Sequence, residues 1–220
     1  MSKQCIIIAG ALVLFTIFSC MNASGQAFKK GSLLISMSEG YTNANYATTN
    51  TVNDGVAKKN IDGDRDPLTV EYGLSKHWGV GLNLGGDILH INPSSFYGFS
   101  IPGNRAKVIT SEITADVHYH FFVTKRVDLS ALTSLGLSGV SITGNNGDGA
   151  YQYNAGGAIA RVGGEARYYA CKRFGFLGML SAYSASYSTK GAKGNAVGNN
   201  YSTTISGYAV EFGICFRMLK

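Results

Sequence analysis

TTISGYAVEFGICFRM, residues 203–218, is the stretch of the sequence that decides the fold. From Tyr208 to Met218 every second residue is apolar, and the positions between them hold small residues together with Glu211 and Arg217. Alternation with a period of two predicts a β-strand, and this strand is longer than most strands of soluble domains. Because a long terminal strand leaves a row of unpaired backbone groups, we expect it to pair with the first strand and close a barrel.

The rest of the chain divides into segments of the same kind. Three tight turns, at 76–77, 124–126 and 171–173, alternate with four long loops, at 41–66, 92–107, 143–157 and 189–201. The predicted strands are 31–40, 68–75, one that begins near Trp78, 108–123, 127–142, 158–170, 174–188 and 203–218. This order predicts an all-β chain that forms an eight-stranded antiparallel up-and-down β-barrel.

Two of these strands have a less regular pattern. The apolar face of strand 174–188 is predicted to consist of Leu177, Met179, Tyr183 and Tyr187. In strand 127–142 the alternation is lost at Val140 and Ile142, which predicts a bulge or the end of the strand there.

The two faces of the predicted strands differ in charge, and this decides which face is outside. No Asp, Glu, Lys or Arg falls on the apolar faces within the strand centres. A soluble barrel of the lipocalin type would be apolar inside, whereas a membrane barrel is apolar outside, where a charge at the bilayer midplane costs about 2–4 kcal/mol. The pattern therefore predicts a transmembrane barrel with a polar network in its lumen, formed by Glu71, Glu112, Asp116, His118, His120, Arg161, Glu165, Arg167 and Glu211.

The formal net charge of +6 is concentrated at the end of the barrel that bears the tight turns and the termini. The sequence has no basic stripe or recognition motif for nucleic acid, so we expect no nucleic-acid partner. A basic rim suits anionic lipid headgroups and is predicted to comprise Lys29, Lys30, Lys76, Lys125, Arg126, Lys172, Arg173, Arg217 and Lys220. Aromatic residues near the strand ends predict two interfacial girdles: Trp78, Tyr119, Phe121, Tyr168 and Phe174 near the turns, Tyr187 and Tyr208 nearer the loops.

The first 25 residues have the features of an export signal. Lys3 precedes an apolar run at 6–18, which is too short for a membrane-spanning helix. Cleavage is expected before Gln26 or before Phe28, with a lipoprotein signal at Cys20 as the alternative. The single barrel domain would then span 26–220. Its cysteines, Cys171 and Cys215, fall on strands two spacings apart, too far for a disulfide, so we expect free thiols.

The hairpins EYGLSKHWGVGLNL, residues 71–84, and DVHYHFFVTKRVDLSALTSLG, residues 116–136, resemble the small eight-stranded outer-membrane barrels, the family of OmpX and the transmembrane domain of OmpA. This resemblance implies a location in the outer membrane of a Gram-negative bacterium, with short periplasmic turns and external loops. The partners it implies are outer-membrane lipids, lipopolysaccharide and the barrel-assembly machinery. The assembly signal would be Glu211, Gly213, Phe216 and Met218, although Leu219 and Lys220 follow where the family ends on an aromatic residue.

Two groups of residues have spacings typical of metal ligands. His118 and His120 lie on one strand face with Asp116 and Glu112, a set that suits a transition metal or, as we prefer, a lumen network. Because eight strands enclose only enough room for side chains, this network is expected to plug the barrel. Asp62, Asp64 and Asp66 are spaced like a calcium loop, but Pro67 replaces the glycine that the loop needs, which favours a solvated loop. We predict no metal, no cofactor and no catalytic residue.

These features predict a non-enzymatic barrel that serves in interaction, adhesion or envelope integrity. An external ligand or surface partner would bind through loops 41–66, 92–107, 143–157 and 189–201. The first alternative is a small porin that passes solutes through an open lumen. The second is a lipid-modifying enzyme, for which His90 at a loop edge is the nearest candidate, since no outward His lies beside a Ser on a strand.

Overall fold

The computed structural model describes residues 27–50, 56–91, 106–146, 149–190 and 200–218. The structure is all-β in these ranges. Its strands are β1 (Leu33–Asn50), β2 (Val56–Arg65), β3 (Leu68–Gly73), β4 (Trp78–Gly85), β5 (Asp87–Ile91), β6 (Ala106–Val123), β7 (Val127–Asn146), β8 (Gly149–Tyr169), β9 (Phe174–Lys190) and β10 (Asn200–Met218). Over the same residues, no helix has the length and apolar character needed to cross a membrane.

The strands form one closed antiparallel ring. β10 pairs with β1 from Leu33 opposite Met218 to Asn50 opposite Tyr201, which confirms the predicted closure. β2 and β3 both pair with β1, and β4 and β5 both pair with β6, so each of these pairs occupies one position around the ring. The ten segments therefore make an eight-stranded up-and-down barrel.

The barrel has two ends, which we call the turn end and the tip end. The turn end carries the tight turns that follow β3, β6 and β8, and the tip end carries the other hairpins. The strands run further toward the tip end than predicted. The expected loop 41–66 is mostly the end of β1 together with β2, and the expected loop 143–157 is mostly β7 and β8. Parts of the expected loops at 92–105 and 191–199 lie outside the described residues.

Several residues of low strand propensity lie in these extensions, and tertiary context explains why they are extended. Along β1 and β2 the polar side chains of Asn45 and Asp62 face outward, while Tyr46 and Ile61 face inward and are buried. Each extension completes a continuous backbone ladder with its neighbours, as β1 does with β10. Strand propensity depends strongly on such pairing and burial, which outweigh the preference of Asn, Asp and Gly for loops.

The outer surface is apolar around the middle and turn end of the barrel. Leu135, Leu137 and Phe212 are each at least 67% exposed, which is unusual for large apolar side chains. Toward the tip end the outward positions become polar, as at Asn45, Asp62, Ser186 and Ser202. The predicted outward apolar face is therefore confirmed for the part of the barrel near the turns.

The predicted orientation of the strand that begins at Phe174 is wrong. In β9 the side chains of Leu177, Tyr183 and Tyr187 are buried inside the barrel, and Phe176 and Leu180 point outward. Apolar residues occur on both faces of this strand, so its sequence alone does not distinguish them. Tyr187 therefore belongs to the interior and not to an aromatic girdle.

The predicted irregularity at Val140 and Ile142 is also wrong. β7 keeps an unbroken register with β8 through both residues, and their side chains point inward and are buried. A register shift occurs instead in β6, between His120 and Phe122. The apparent loss of alternation arises because the interior itself changes from polar to apolar at this level.

The cysteines differ from each other. Cys215 is a buried free thiol, whereas Cys171 is disulfide-bonded. The prediction of two free thiols is correct for Cys215 and wrong for Cys171, because it took the other two cysteines, Cys5 and Cys20, to leave with the export signal.

Candidate functional site in the lumen

The lumen is filled by side chains in three successive layers. A middle layer of charged and polar residues, the ionic layer, contains all nine residues selected from the sequence, and each of them is no more than 8% exposed. Those residues are Glu71, Glu112, Asp116, His118, His120, Arg161, Glu165, Arg167 and Glu211. Arg65, Asp87 and Asp128 are also buried in this layer.

Arg65 is the centre of the ionic layer on its tip side. Its Nε donates to Glu211 Oε1 at 2.8 Å, its Nη1 lies 3.4 Å from Asp87 Oδ1, and its Nη2 bonds Glu112 Oε1. Ser38 Oγ also donates to Glu211, at 2.9 Å. The guanidinium has five N–H donors in a planar fork and can therefore hold three carboxylates on three strands at once.

Sequence reasoning placed Arg65 in a loop and so missed it. The signal that could have revealed it is the alternation of buried Ile61, Gly63 and Arg65 with exposed Asp62 and Asp64 along β2. The calcium-loop interpretation is wrong for the same reason, because Asp62 and Asp64 point outward along a strand. The calcium motif needs a loop that wraps its ligands around the ion, and an extended strand does not provide one.

Glu112 joins Arg65 to a second cation, Arg161. Arg161 Nη2 lies 3.1 Å and 3.2 Å from the two carboxylate oxygens of Glu112, and Nη1 donates to Ser181 Oγ at 3.0 Å. The Arg161 guanidinium also lies over the ring of Tyr183, 4.9 Å from its centroid. A buried charge is costly without partners, and these contacts supply them.

Glu71 is the centre of the ionic layer on its turn side. Arg167 Nη2 donates to Glu71 Oε2 at 2.6 Å, and His120 Nε2 lies 2.8 Å from Glu71 Oε1. The other ring nitrogen of His120 lies 2.8 Å from Asp128 Oδ1. Arg167 also pairs with Asp128, at 3.6 Å, and with Glu165. These contacts link four strands across the lumen.

Three of the four residues with metal-ligand spacing, Glu112, Asp116 and His120, are held by different partners. Thr114 Oγ1 donates to Asp116 Oδ1 at 2.7 Å, and Glu112 is engaged by Arg65 and Arg161. The rings of His118 and His120 are 6.2 Å apart. In the described part of the chain no group of three or more His, Cys, Asp or Glu residues converges in a way that could hold a metal ion. The geometry therefore favours the network over a metal centre.

Glycines make room for the two central carboxylates. A Cβ added at Gly79 would lie 2.0 Å from Glu71 Oε1, and one at Gly40 would lie 2.7 Å from Glu211 Cγ. Both distances are too short for a real contact, so a larger residue would displace the carboxylate. Gly79 and Gly40 are thus part of the site, although nothing in their sequence context distinguishes them from other strand glycines.

The layer at the tip end of the lumen is apolar, and we call it the tip layer. It consists of Ala44, Tyr46, Ile61, Leu89, Val108, Val140, Ile142, Ile159, Tyr183, Ala185, Tyr187 and Ile205, all buried and in one cluster. The Tyr183 hydroxyl lies 3.0 Å from Thr42 Oγ1, and the Tyr187 hydroxyl lies 2.9 Å from Ser138 Oγ. Around this layer the outer wall is polar, so the barrel here has the polarity of a soluble barrel.

A second apolar layer closes the turn end, and we call it the floor layer. It consists of Ala27, Phe28, Leu34, Tyr169, Leu177 and Cys215. Arg217, predicted for the exposed basic rim, is buried here: its Nη1 donates to Ala27 O at 2.7 Å and its Nη2 to Lys172 O at 2.6 Å. That prediction is wrong because the inward position of Arg217 on β10 directs its guanidinium to backbone carbonyls within the barrel mouth.

Comparison with known proteins gives a result at the level of fold. No protein-family model matches the chain, and no curated protein matches its sequence. The outer membrane protein OprG of Pseudomonas aeruginosa aligns with 87% of this chain and 98% of its own, at 11% identity and a TM-score of 0.51. AlkL aligns with 90% of this chain and 95% of its own, at 12% identity and a TM-score of 0.49. Ail, the attachment invasion locus protein of Yersinia pestis, aligns with 83% of this chain and 99% of its own, at 14% identity and a TM-score of 0.40.

The likeness to OprG concerns the fold and not the activity, because one fold hosts many functions. It agrees with the closed ring of eight antiparallel strands and with the apolar outer band. The chain has the fold of the small eight-stranded outer-membrane β-barrel proteins.

Proposed function

We propose that this protein is an integral outer-membrane β-barrel of a Gram-negative bacterium with a sealed lumen and an interaction surface at its tip end. One observation carries the proposal: the lumen is filled in succession by the floor layer, the ionic layer and the tip layer. Buried ion pairs and two apolar layers leave solutes no polar path along the axis. The protein would then act through its outer wall and not as a channel.

The outer wall supports placement in a membrane. Large apolar side chains such as Leu82, Leu137 and Phe212 are half or more exposed, and water would make this unfavourable by about 25 cal/mol per Å². Lipid removes that cost, and ring closure satisfies every strand edge, as a bilayer requires. Trp78 and Tyr119 pack together near the turn end, with ring centroids 4.9 Å apart, where an interfacial girdle would lie.

The interaction role is supported by the strand extensions at the tip end. They present rigid, polar sheet faces above the apolar band, including Asn45, Asp62, Ser186 and Ser202. Lipopolysaccharide headgroups and external partners would meet these walls together with the regions predicted as loops. A stable polar surface of this kind at the tip end would suit a role in adhesion or envelope integrity.

The proposed function does not include catalysis. His90, the nearest candidate for a catalytic base on the outer surface, lies on β5 opposite Asp62 on one side and Lys107 on the other. Neither neighbour is a nucleophile of the serine type that a Ser/His mechanism needs. The inward histidine His120 is engaged by Glu71 and Asp128.

Single-channel conductance in a planar bilayer tests the sealed lumen. Refolded protein, shown by an unheated gel to be a compact barrel, is inserted and recorded at increasing voltage. We expect no discrete conductance steps. The variant Tyr187→Ala should also stay silent, because the ionic and floor layers remain intact behind the removed ring.

Regular steps from the folded wild-type protein would contradict the sealed lumen and would favour a small porin. A lipid A modification or ester hydrolysis assay on the same sample tests the non-enzymatic part. Turnover that depends on His90 would contradict the proposal that the protein is not an enzyme. It would not bear on the sealed lumen.

A further inference from the structure

The polar outer wall near the tip end has two sectors that differ in charge. In the first sector an exposed row of Asp62, His90 and Lys107 crosses β2, β5 and β6. In the second sector the outward positions of β9, β10 and β1, on the tip side of Tyr208 and Tyr41, hold no charged residue among the side chains that the structure describes. A surface that meets only water usually mixes charged and polar residues, so the uncharged sector needs another explanation.

Hydroxyl side chains form a regular grid in the uncharged sector. We call this grid the hydroxyl face. It consists of three cross-strand pairs, each given with its β10 residue first: Ser202 and Ser188, Thr204 and Ser186, Ser206 and Ser184. Thr204 and Ser206 are partly exposed and the other four are exposed. Because neighbouring strands are about 4.8 Å apart, the face offers closely spaced hydroxyls on a nearly flat surface.

The grid continues onto β1 and ends at two tyrosines. Ser206 lies opposite Asn45, and Tyr208 lies opposite Asn43. Tyr208 is 50% exposed and Tyr41 is 46% exposed, and both mark the boundary with the apolar outer wall. Phe212 continues that wall toward the turn end. One sheet surface thus changes from apolar to aromatic to hydroxyl-rich along β10.

The six hydroxyls are free to bind a ligand. Within the described part of the chain, none of them forms a hydrogen bond with another protein group. Each hydroxyl can both donate and accept, and the amide of Asn45 beside them can do the same. The strands beneath them pair without interruption, so the grid is ordered before a ligand arrives and little entropy is lost on binding.

From these observations we propose that the hydroxyl face binds the uncharged sugars of the lipopolysaccharide that surrounds the barrel, with Tyr208 against the apolar face of a sugar ring. The inference rests on the proposed outer-membrane location, with the tip end outside. Sugars carry many hydroxyls that both donate and accept, without charge, and this matches the grid. Serine, asparagine and tyrosine are also typical of surfaces that bind through adaptable hydrogen bonds and rigid aromatic contacts.

Two features favour the sugars over the phosphates of the same glycolipid. No cation lies on the hydroxyl face among the described side chains, since Lys107 is in the other sector, on β6. Asp62 lies opposite Asn43 at the edge of the sector and would repel an anion. Phosphate recognition relies on positive charge and on directed donors, which this sector does not provide.

The position of the face favours the surrounding glycolipid over a more distant glycan. The apolar outer wall at Phe212 would meet acyl chains, and the hydroxyl face begins one turn of the pleat beyond Tyr208 on the same strand. A single molecule can therefore touch the apolar wall with its chains and the hydroxyl face with its sugars. Each sugar contact is a hydrogen bond on an open surface, so we expect the sugars to exchange rapidly.

NMR titration of the refolded barrel tests the inference. The probe is the oligosaccharide released from lipopolysaccharide by mild acid, and inorganic phosphate and lipid A are titrated separately. The oligosaccharide should shift the amide resonances of residues 184–188 and 202–206 more than those of β6. The triple variant Ser184→Ala, Thr204→Val and Ser206→Ala should weaken binding by roughly tenfold or more, because three hydrogen-bonding groups are removed.

The matched control removes the same groups from the wall of β6 and β7. Ser111→Ala, Ser141→Ala and Thr143→Val take two serines and one threonine from outward positions there, and this variant should bind like the wild-type protein. Equal weakening in both triple variants, or no shift in the folded wild-type barrel, would overturn the inference. Shifts at the face with phosphate or lipid A alone would also overturn it, as would concentration-dependent shifts without sugar, which would indicate a second copy of the chain.

Cell fractionation tests the location on which the inference rests. A folded barrel that is found in the outer membrane and does not bind the oligosaccharide would overturn the inference and leave the proposed function in place. A protein found outside the outer membrane would overturn the proposed function and the inference with it.

Discussion

At the scale of single residues, Arg65 and Glu71 organise the lumen. Arg65 binds carboxylates from β5, β6 and β10, and Glu71 binds groups from β6 and β8. Each is fully or almost fully buried. Removing one member of such a network leaves its partners buried and unpaired. The resulting loss of stability is larger than the stability that the intact network provides relative to an apolar core.

The variant Arg65→Ala should therefore lower the free energy of unfolding by about 3–5 kcal/mol, measured by urea unfolding in lipid bilayers. Arg126→Ala is the control, because Arg126 is exposed in a turn and its loss should change stability by about 0.5 kcal/mol or less. Arg65→Lys should fall between them, since it keeps the charge but not the fork. Similar values for Arg65→Ala and Arg126→Ala would exclude a central role for Arg65.

Gly79 provides a second test at this scale. Gly79→Ala should lower the free energy of unfolding by about 1–3 kcal/mol, because the new methyl group collides with the Glu71 carboxylate. Gly164→Ala is the matched control in β8, where the added Cβ would lie 3.8 Å from Ser130 O in ordinary contact. If both variants are equally stable, the Glu71 side chain has another position available to it.

At the scale of strands, the main finding is the length of the ladders at the tip end. β1 continues to Asn50 and pairs with both β10 and β2 over residues predicted as a loop. The inward apolar residues of this region, such as Tyr46 and Ile61, supply the burial that holds the extension. A flexible loop would have neither the ladder nor the buried side chains.

Hydrogen exchange measures this difference directly. Backbone amides of residues 42–47 should exchange as slowly as those of 33–37, within about a factor of ten, because both stretches pair on two sides. The tight turn at Lys125 and Arg126 is the internal control and should exchange rapidly. Rapid exchange at 42–47 would restore the loop interpretation of this segment.

At the scale of the whole molecule, the barrel changes polarity along its axis. Near the turns it is apolar outside and charged inside, and toward the tips it is polar outside and apolar inside. A bilayer matches the first arrangement and water the second. The molecule should thus cross the membrane with its tip end in water on one side.

Cysteine labelling on intact cells tests this orientation. Ser186→Cys, exposed on β9 at the tip end, should react with a membrane-impermeant maleimide. Lys125→Cys, exposed at the turn end, should react only after the outer membrane is permeabilised. Both substitutions are made in a Cys171→Ser background, and that background alone controls for labelling of Cys215, which is buried. The opposite labelling pattern would reverse the proposed topology.

The alternation of side chains determined, from the sequence alone, the eight positions around the ring, the closure of β10 on β1 and the outward apolar band near the turns. These depend on a local period of two, which any stretch reveals by itself. The alternation did not reveal β2 or the strand extensions at the tip end. The structure alone decided the partners of Arg65, the space at Gly79 and the inward faces of Tyr183 and Tyr187. The physical reason is that these depend on which distant residues share one level of the lumen. A local pattern carries no information on what lies across the barrel. The same alternation of apolar and polar residues also has the opposite orientation where the outer wall changes from apolar to polar.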